Sequence, residues 1–185
     1  MKYIYQTDNN LQYIYFITPK CATRTFFNIF NYQPATYKEL SKNQKDYFSW
    51  SFVRNPWDRL VSAYTNKIVD HHQTGLDSWR NTINSFEEFI LKIEQHDVMR
   101  STCDRHIRSL YTFFPRDINF IGKLESLQQD FNTVCDKIGI PQRQLPHKNK
   151  SKHKHYTEYY DDETKQIVAK KYAKDIEYFG YEFGE

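Results

Sequence analysis

The chain has 185 residues, a length typical of one α/β domain with a substantial hydrophobic core. Aromatic residues make up 17% of it and charged residues 26%, with only five glycines, which excludes a disordered or fibrous protein. The net charge of +3 is mild: it suits a site for one small polyanion and does not require nucleic acid as a partner. We expect a single domain that covers residues 1–185.

The first predicted element is a strand over residues 13–17, where aromatic and β-branched residues are typical of a strand buried in a parallel sheet. Pro19 ends this strand, Lys20 and three small residues follow, and residues 25–30 have an apolar pattern that predicts a helix. A strand, a turn and a helix in this order aim backbone N–H groups at one point, where an anion is favoured. The turn is a candidate phosphate site; the alternative is a lysine that caps the turn without a ligand.

The turn does not match the Walker A loop of ordinary P-loop kinases and GTPases. That loop places glycines before its lysine, whereas no glycine precedes Gly75 in this chain and Lys20 comes ahead of the turn. We therefore do not expect an ordinary P-loop enzyme.

A second strand and helix follow a polar segment. Residues 31–46 predict a loop or short helix, and residues 47–53 predict another buried strand. This strand runs directly into Arg54, and Pro56 then fits the first turn of a helix. An arginine at the strand end and Ser62, two turns into the helix, can converge on a second phosphate.

The middle of the chain predicts mostly helical scaffold. The helix that begins near residue 57 should continue to residue 69, where His71 and His72 follow; adjacent histidines point in different directions, so no metal site is expected. Ser85 to Glu88 predicts a capping box that opens a helix ending near residue 95. In the next segment, residues 100–110, we single out His106, which follows Asp104 by two positions.

A third strand is predicted over residues 118–122, followed by helices over 125–138 and 162–176. Glu125 stands where strand gives way to helix, so it is either a functional group at the sheet edge or a residue that stabilises its helix N-terminus. Residues 142–155 are strongly basic, which is usual for a solvated loop. Strands that alternate with helices indicate an α/β fold with a parallel sheet.

These motifs resemble sulfotransferases that use 3′-phosphoadenosine-5′-phosphosulfate (PAPS). The order Pro, Lys, small, small, Thr, Arg, Thr from Pro19 resembles their 5′-phosphosulfate loop, and Arg54-x-Pro-x-x-Arg-Leu-x-Ser-x-Tyr resembles their 3′-phosphate element. Residues 121–131 and the ending at 179–181 also resemble the family, whereas the Asp104-x-His106 match lacks a following Gln. The resemblance spans nearly the whole chain and implies a P-loop-NTPase-like fold, with a central parallel sheet flanked by helices.

The resemblance also implies the nucleotide-binding residues. Lys150 and Ser151 match its segment ahead of the last helix, as part of a basic flap over the nucleotide. The sequence departs from the usual pattern at Cys21, which is either a small filler or a reactive thiol, and at Arg24, which either contacts phosphate or points to solvent. The implied set is Lys20, Cys21, Ala22, Thr23, Arg24 and Thr25 at the 5′ side, Arg54 and Ser62 at the 3′-phosphate, and Lys150 and Ser151 in the flap.

Transfer of SO₃ to a hydroxyl is close to phosphoryl transfer, so positioning and charge neutralisation should supply most of the catalysis. Lys20 is the candidate that stabilises the leaving oxygen. A general base must take the acceptor proton; His106, oriented by Asp104, is our first candidate and Glu125 the second. No metal is required. Trp57 either supports the adenine or belongs to the core.

The sequence thus predicts a PAPS-dependent sulfotransferase that acts on a hydroxyl of a glycan or small molecule. The alternatives are a non-catalytic nucleotide- or nucleic-acid-binding module on the same fold, and an atypical P-loop kinase. The acceptor and the oligomeric state are not determined, although a dimer would be one way to complete an acceptor groove. Animal carbohydrate sulfotransferases of the family are Golgi proteins anchored by an N-terminal membrane span.

The cellular location is predicted from two further observations. An odd number of cysteines without paired spacing (Cys21, Cys103 and Cys135) predicts free thiols. The sequence has neither the apolar region of a signal peptide nor eighteen consecutive apolar residues, so no membrane span is expected. Both observations favour a cytoplasmic protein.

Overall fold

A computed structural model describes residues 5–30, 42–44, 46–70, 75–146 and 154–185 of the chain. It contains one four-stranded sheet with the strand order β1-β2-β3-β4. The strands are β1 (Tyr5–Asp8), β2 (Tyr13–Phe16), β3 (Phe48–Val53) and β4 (Phe120–Lys123). The α-helices in these described ranges are α1 (Thr23–Ile29), α2 (Pro56–Tyr64), α3 (Phe86–Glu94), α4 (Leu127–Ile138), α5 (Asp162–Lys171) and α6 (Ala173–Phe179).

The chain forms two compact units, each built from two separate segments of sequence. Unit 1 comprises residues 1–54 and 113–149 and contains the sheet with α1 and α4. Unit 2 comprises residues 55–112 and 150–185 and contains the other helices. A single domain over residues 1–185 stays a prediction.

The predicted mixture of strands and helices is confirmed, but a wholly parallel sheet is wrong. The pairs β2–β3 and β3–β4 are parallel, as expected, whereas β1 pairs antiparallel with β2. Only residues 9–12 separate β1 from β2, and a connection this short joins antiparallel neighbours. Asp8 stabilises that turn because its Oδ1 accepts hydrogen bonds from the N–H groups of Asn10 and Leu11 at 2.8 and 3.0 Å. The polar residues of β1 gave no strand signal in the sequence.

The core of unit 1 is a cluster of aromatic rings between the sheet and its two helices. Tyr15 of β2 stacks on Trp50 of β3, with ring centroids 4.3 Å apart and planes 21° apart. Phe26 of α1 meets Trp50 edge-on at 5.3 Å and lies 5.7 Å from Phe131 of α4. Offset and edge-on contacts of this kind stabilise a core beyond the area that they bury, and here they fix α1 and α4 beside each other on the sheet.

Gly122 of β4 is required by this packing. It lies directly opposite Phe52 in the β3–β4 register, and a Cβ atom at Gly122 would come within 2.5 Å of the Phe52 ring. The absence of a side chain at this position therefore lets the aromatic ring cover the neighbouring strand.

Unit 2 follows the predicted helices with small differences. Ser85 caps α3 as expected, accepting from the Glu88 N–H at 3.1 Å, but the Glu88 carboxylate accepts from Asn84 N–H rather than completing a capping box. The predicted helix over residues 57–69 is α2 followed by a π-helical turn, Thr65–Val69. The last predicted helix divides at Tyr172 into α5 and α6. Within the described ranges, every helix is too short or too polar to cross a lipid bilayer.

Candidate active site

The Lys20 turn, residues 17–23, links β2 to α1 through two unusual backbone conformations. Lys20 has φ 67° and Ala22 has φ 56°, both in the left-handed region that non-glycine residues seldom adopt. Strain of this kind persists only where the surrounding structure imposes it, and it is concentrated at functional sites. The predicted phosphate-binding turn is therefore a specifically shaped segment rather than a relaxed loop.

Buried hydroxyl groups hold the Lys20 turn against the sheet. Thr18 Oγ1 donates to the Phe52 carbonyl of β3 at 2.6 Å, and Thr23 Oγ1 donates back to the Thr18 carbonyl at 2.6 Å. Ser51 Oγ donates to the Phe16 carbonyl at the end of β2 at 2.8 Å. Thr18 and Ser51 are both fully buried, so these bonds are shielded from competition by water.

Arg54 lies beside the Lys20 turn. It is the first residue after β3, and its Nη1 donates to the carbonyl oxygen of Lys20 at 3.3 Å. Glu125 is exposed in the short turn after β4. Because β2, β3 and β4 are parallel, all three residues follow strand ends at the same edge of the sheet. The structure thus brings Lys20 and Arg54 together, and Glu125 shares their edge.

The other residues predicted at the 5′ side have distinct environments. Cys21 is fully buried and its thiol donates to the Pro19 carbonyl at 3.4 Å, so it fills space rather than presenting a reactive group. Arg24 is exposed on α1, where it can reach a ligand or solvent. The Thr25 N–H donates to the Ala22 carbonyl at 2.9 Å and is unavailable to phosphate. No side chain in the described ranges caps the N-terminus of α1 at Ala22.

The placement of three predicted nucleotide-binding residues beside this group stays a prediction. Ser62 is buried in α2 and belongs to unit 2. Lys150 and Ser151 lie outside the described residues, as does half of the predicted basic segment over residues 142–155. Trp57 is 4% exposed within the core cluster of unit 2, and its Nε1 donates to the Lys165 carbonyl at 3.2 Å, which favours its core role.

In unit 2, Asp104 and His106 form a hydrogen-bonded pair, as the sequence predicted. The Asp104 Oδ1 atom lies 2.8 Å from His106 Nδ1 and also accepts from the His106 backbone N–H at 2.8 Å. Asp104 Oδ2 accepts from the Leu76 N–H at 3.2 Å. A carboxylate on Nδ1 favours the tautomer with the proton on that nitrogen, which leaves the Nε2 lone pair able to accept a proton.

Burial and hydrogen bonding set the protonation of the pair. Burial lowers the pKa of His106 below its ordinary value, only partly opposed by Asp104 and assisted by the positive charges of Lys67 and Arg105. Burial raises the pKa of Asp104, but the hydrogen bonds from His106 and Leu76 outweigh it and bring the pKa below its ordinary value. At neutral pH the carboxylate is therefore charged and the imidazole neutral, as a general base requires.

Gly75 closes one side of the His106 ring. Its φ of +114° is rarely adopted by residues with a side chain, and a Cβ atom there would lie 2.6 Å from His106 Nδ1 and Cε1. A glycine next to a predicted loop is too common a feature to signal this contact.

A cleft of about 860 Å³ lies next to Asp104 in unit 2. This volume is in the range of small-molecule sites. Its polar lining combines carboxylates, an arginine and an imidazole with the buried Trp79. The lining of the cleft includes Gly75, Asp77, His96, Asp97, Arg100 and Asp104.

The described part of the chain contains neither a candidate metal site nor a disulfide bond. No group of three or more His, Cys, Asp or Glu side chains within it could hold a metal ion. The prediction of free thiols is confirmed: Cys21 and Cys135 are buried, Cys103 is partly exposed, and none forms a disulfide.

Comparisons with known proteins agree with these motifs. A profile described as "Sulfotransferase family" matches residues 2–182. Carbohydrate sulfotransferase 11 of Mus musculus is 29% identical over 125 residues, which cover 55% of this chain and 36% of the relative. Carbohydrate sulfotransferase 14 of Danio rerio is 26% identical over 172 residues, 78% of this chain and 46% of the relative. The chain thus spans less than half the length of these relatives. No solved structure matches it.

Proposed function

The chain belongs to the sulfotransferase family, and on this premise we propose that it transfers a sulfuryl group from PAPS to a hydroxyl of a carbohydrate acceptor. The observation that carries the proposal is the hydrogen bond from Arg54 Nη1 to the Lys20 carbonyl at 3.3 Å. Two cationic residues, each from a segment that resembles a phosphate-binding motif of the family, are neighbours at one edge of the sheet, and this supports a donor that carries more than one phosphate.

Lys20 has the central role in this proposal. Negative charge grows on the bridging oxygen as the S–O bond to the nucleotide breaks, and a fixed ammonium group stabilises that charge more in the transition state than in the ground state. The strained turn and its buried hydrogen bonds hold the Lys20 backbone before the ligand arrives. Arg24 and the turn residues around Ala22 would bind the 5′-phosphate, and Arg54 with Ser62 the 3′-phosphate. Lys150 and Ser151 remain candidates from the sequence.

His106 is proposed as the general base. Its neutral ring accepts the proton of the acceptor hydroxyl at Nε2 as the hydroxyl oxygen forms its bond to sulfur, and the Asp104 carboxylate stabilises the imidazolium that results. Glu125 is the second candidate, because it stands at the same sheet edge as Lys20 and is exposed. The proposed chemistry requires no metal.

A carbohydrate acceptor is supported by the lining of the cleft beside Asp104. Sugar hydroxyl groups both donate and accept hydrogen bonds, and Asp77, Asp97 and Arg100 provide both functions around a volume large enough for a sugar residue. The names of the relatives favour the same acceptor class. The cytoplasmic location stays a prediction.

Ligand-induced stabilisation tests the nucleotide first. We expect adenosine 3′,5′-bisphosphate at a hundredfold excess over its Kd to stabilise the protein by about 2.7 kcal/mol, a rise of roughly 5–10 °C in Tm. ATP with Mg²⁺ should stabilise it less, and a single-stranded oligonucleotide should leave Tm unchanged. A preference for ATP would indicate an atypical kinase, and a preference for the oligonucleotide would indicate a nucleic-acid-binding module.

Transfer of labelled sulfate then tests the reaction. The protein is incubated with ³⁵S-labelled PAPS and panels of glycans, phenols and peptides, and the products are separated from the donor. Label on a glycan hydroxyl supports the proposal. Binding of the bisphosphate without transfer to any acceptor would instead support the non-catalytic alternative.

A further inference from the structure

Three buried side chains fix the His106 loop, which we define as residues 104–111. Arg59 Nη1 of α2 donates to the His106 carbonyl at 3.1 Å. The Tyr172 hydroxyl, between α5 and α6, donates to the Ile107 carbonyl. Asp175 of α6 accepts from the N–H groups of Leu110 and Tyr111 at 2.9 and 3.0 Å and from the Ser109 hydroxyl. Within the loop, the N–H groups of Ile107 and Arg108 donate to the Asp104 carbonyl, and the three buried side chains attach the loop to the helices of unit 2.

Arg59 is a residue whose burial costs free energy of desolvation. It is 0% exposed and always charged, and its Nη2 lies 4.0 Å from Asp175, beyond hydrogen-bond distance. In the described part of the chain, its Nε and Nη2 have no hydrogen-bond acceptor. The Tyr172 ring provides a cation–π contact at 5.4 Å. A buried charge with unsatisfied donors is a poor way to stabilise a core, so a role beyond stability is indicated.

The contact that Arg59 makes indicates that role. Its one well-formed hydrogen bond in the described ranges goes to the backbone of His106, whose side chain is the proposed base. Gly75 limits the ring from one side, and Asp104 binds both Nδ1 and the backbone N–H of His106, whereas Arg59 binds the carbonyl oxygen of the same residue. A displacement of about 1 Å in a catalytic group lowers turnover roughly a hundredfold.

We propose that Arg59 is a positioning residue for His106, acting through the His106 carbonyl and supported by Tyr172 and Asp175. This inference rests on the proposed function only in the role of His106 as the base. The physical claim, that Arg59 determines the placement of the His106 ring, stands on the contacts of unit 2 alone.

The test compares Arg59→Lys with Arg116→Lys. Arg116 is a matched control because its Nη2 also donates to a backbone carbonyl, that of Phe114, at 3.4 Å, and its guanidinium also lies over an aromatic ring, but it is outside the His106 loop. Lysine keeps the positive charge and loses the planar fork, so a role that needs only charge would survive the substitution. The readouts are kcat and KM for PAPS with the glycan found by sulfate transfer, Tm, and NMR titration of labelled histidine.

The NMR titration reports the ring directly and needs no acceptor. The His106 signal is assigned by its absence in His106→Gln. Within the described residues, the charges of Asp104 and Arg105 of its own loop and of Lys67 of the π-helical turn act on the ring, and Arg59 of α2 contacts the His106 backbone. The lowered pKa of His106 depends on burial against these neighbours, so displacement of the ring should move the pKa towards its ordinary value.

We expect Arg59→Lys to lower kcat about thirtyfold, to change KM for PAPS less than about twofold and to raise the His106 pKa. Arg116→Lys should change none of these. Unchanged kcat and titration in folded Arg59→Lys would overturn the inference, as would a loss confined to Tm.

If Arg59→Lys does not fold, a milder variant tests whether the same network positions His106. Tyr172→Phe removes one hydroxyl from the same network and should give a smaller change in the same direction; an unaltered kcat and titration would overturn the inference. If the wild-type protein transfers no sulfate but the His106 pKa still moves in Arg59→Lys alone, the positioning role stands and the proposed function fails.

Discussion

The Lys20 turn and the His106 loop are both held in place by neighbouring side chains, but through different kinds of contact. Both are irregular segments that must hold one functional side chain. The Lys20 turn is attached to neighbouring strands through neutral hydroxyl-to-carbonyl bonds from Thr18 and Ser51. The described residues of unit 2 include no strand, and the His106 loop is held there by buried charged and polar side chains, chiefly Arg59 and Asp175.

This difference indicates how each segment responds to change. Neutral hydrogen bonds to a sheet contribute about 1 kcal/mol each and fail one at a time. Breaking a buried charged network leaves an uncompensated charge and costs about 3–5 kcal/mol. We therefore expect the Lys20 turn to tolerate changes in its supports, and the His106 loop to lose its arrangement when a single support is altered.

The largest expected effect is at the functional residue of the Lys20 turn. Lys20→Ala should lower kcat about a thousandfold, because it removes the cation that stabilises the leaving oxygen. The affinity for adenosine 3′,5′-bisphosphate, measured by calorimetry, should change little. Lys137→Ala, at an exposed position of α4 in the same unit, is the control and should leave both quantities unaltered. Undiminished turnover in Lys20→Ala would refute its role.

The corresponding change in the His106 loop should be smaller and pH-dependent. His106→Ala is expected to lower kcat about a hundredfold at near-normal nucleotide affinity, as for loss of a general base. The pKa of His106 lies below its ordinary value of 6.5. Wild-type kcat should therefore stay constant as the pH falls to 6.5, and it should decline only when the pH approaches the lowered pKa of His106, where the ring gains its proton. This acidic decline should be absent from the variant. The exposed His155, which bonds Thr157, provides a control substitution; full activity in His106→Ala would favour Glu125 as the base.

The close fit around the His106 ring gives a third prediction. Gly75→Ala should lower kcat about tenfold, because its Cβ would lie 2.6 Å from the ring and must displace it. Gly180→Ala is matched, since Gly180 also has a positive φ, of +62°, but open space around its Cα. Both should lose about 1 kcal/mol of unfolding free energy. Equal kcat values in the two variants would show that the contact between residue 75 and His106 does not affect turnover.

The smallest expected effect is on a support of the Lys20 turn. Thr18→Val should reduce the free energy of unfolding by about 1–2 kcal/mol, because the buried bond to the Phe52 carbonyl is lost. Turnover should fall less than about threefold, since Ser51 and Thr23 still hold the turn. Thr133→Val is the control: this hydroxyl bonds within α4 at 3.3 Å, near solvent, and denaturant unfolding should detect little change. A large loss of kcat in Thr18→Val would contradict the proposed contrast between the two segments.

Much of the candidate site could be predicted from local sequence. The strand, Pro19, Lys20 and the small residues after it define a turn by short-range sterics, and Arg54 follows a strand whose neighbour in a parallel sheet is predictable. The pair Asp104 and His106 is also local, because only Arg105 separates its members. These predictions agree with the contacts observed in each unit.

The sequence by itself determined the elements that depend on neighbouring residues: β2, β3, the helix starts and the order of the phosphate motifs. Only the tertiary structure decided that β1 turns back on β2, that Gly122 must admit the Phe52 ring, that Gly75 limits His106, and that Arg59 and Asp175 support one loop from distant parts of the chain. The reason is physical: backbone sterics and periodicity act over a few residues, whereas the partner of a buried charge is set by packing. An arginine among the apolar residues of α2 was the one visible sign, and nothing local specified the carbonyl that it would bind.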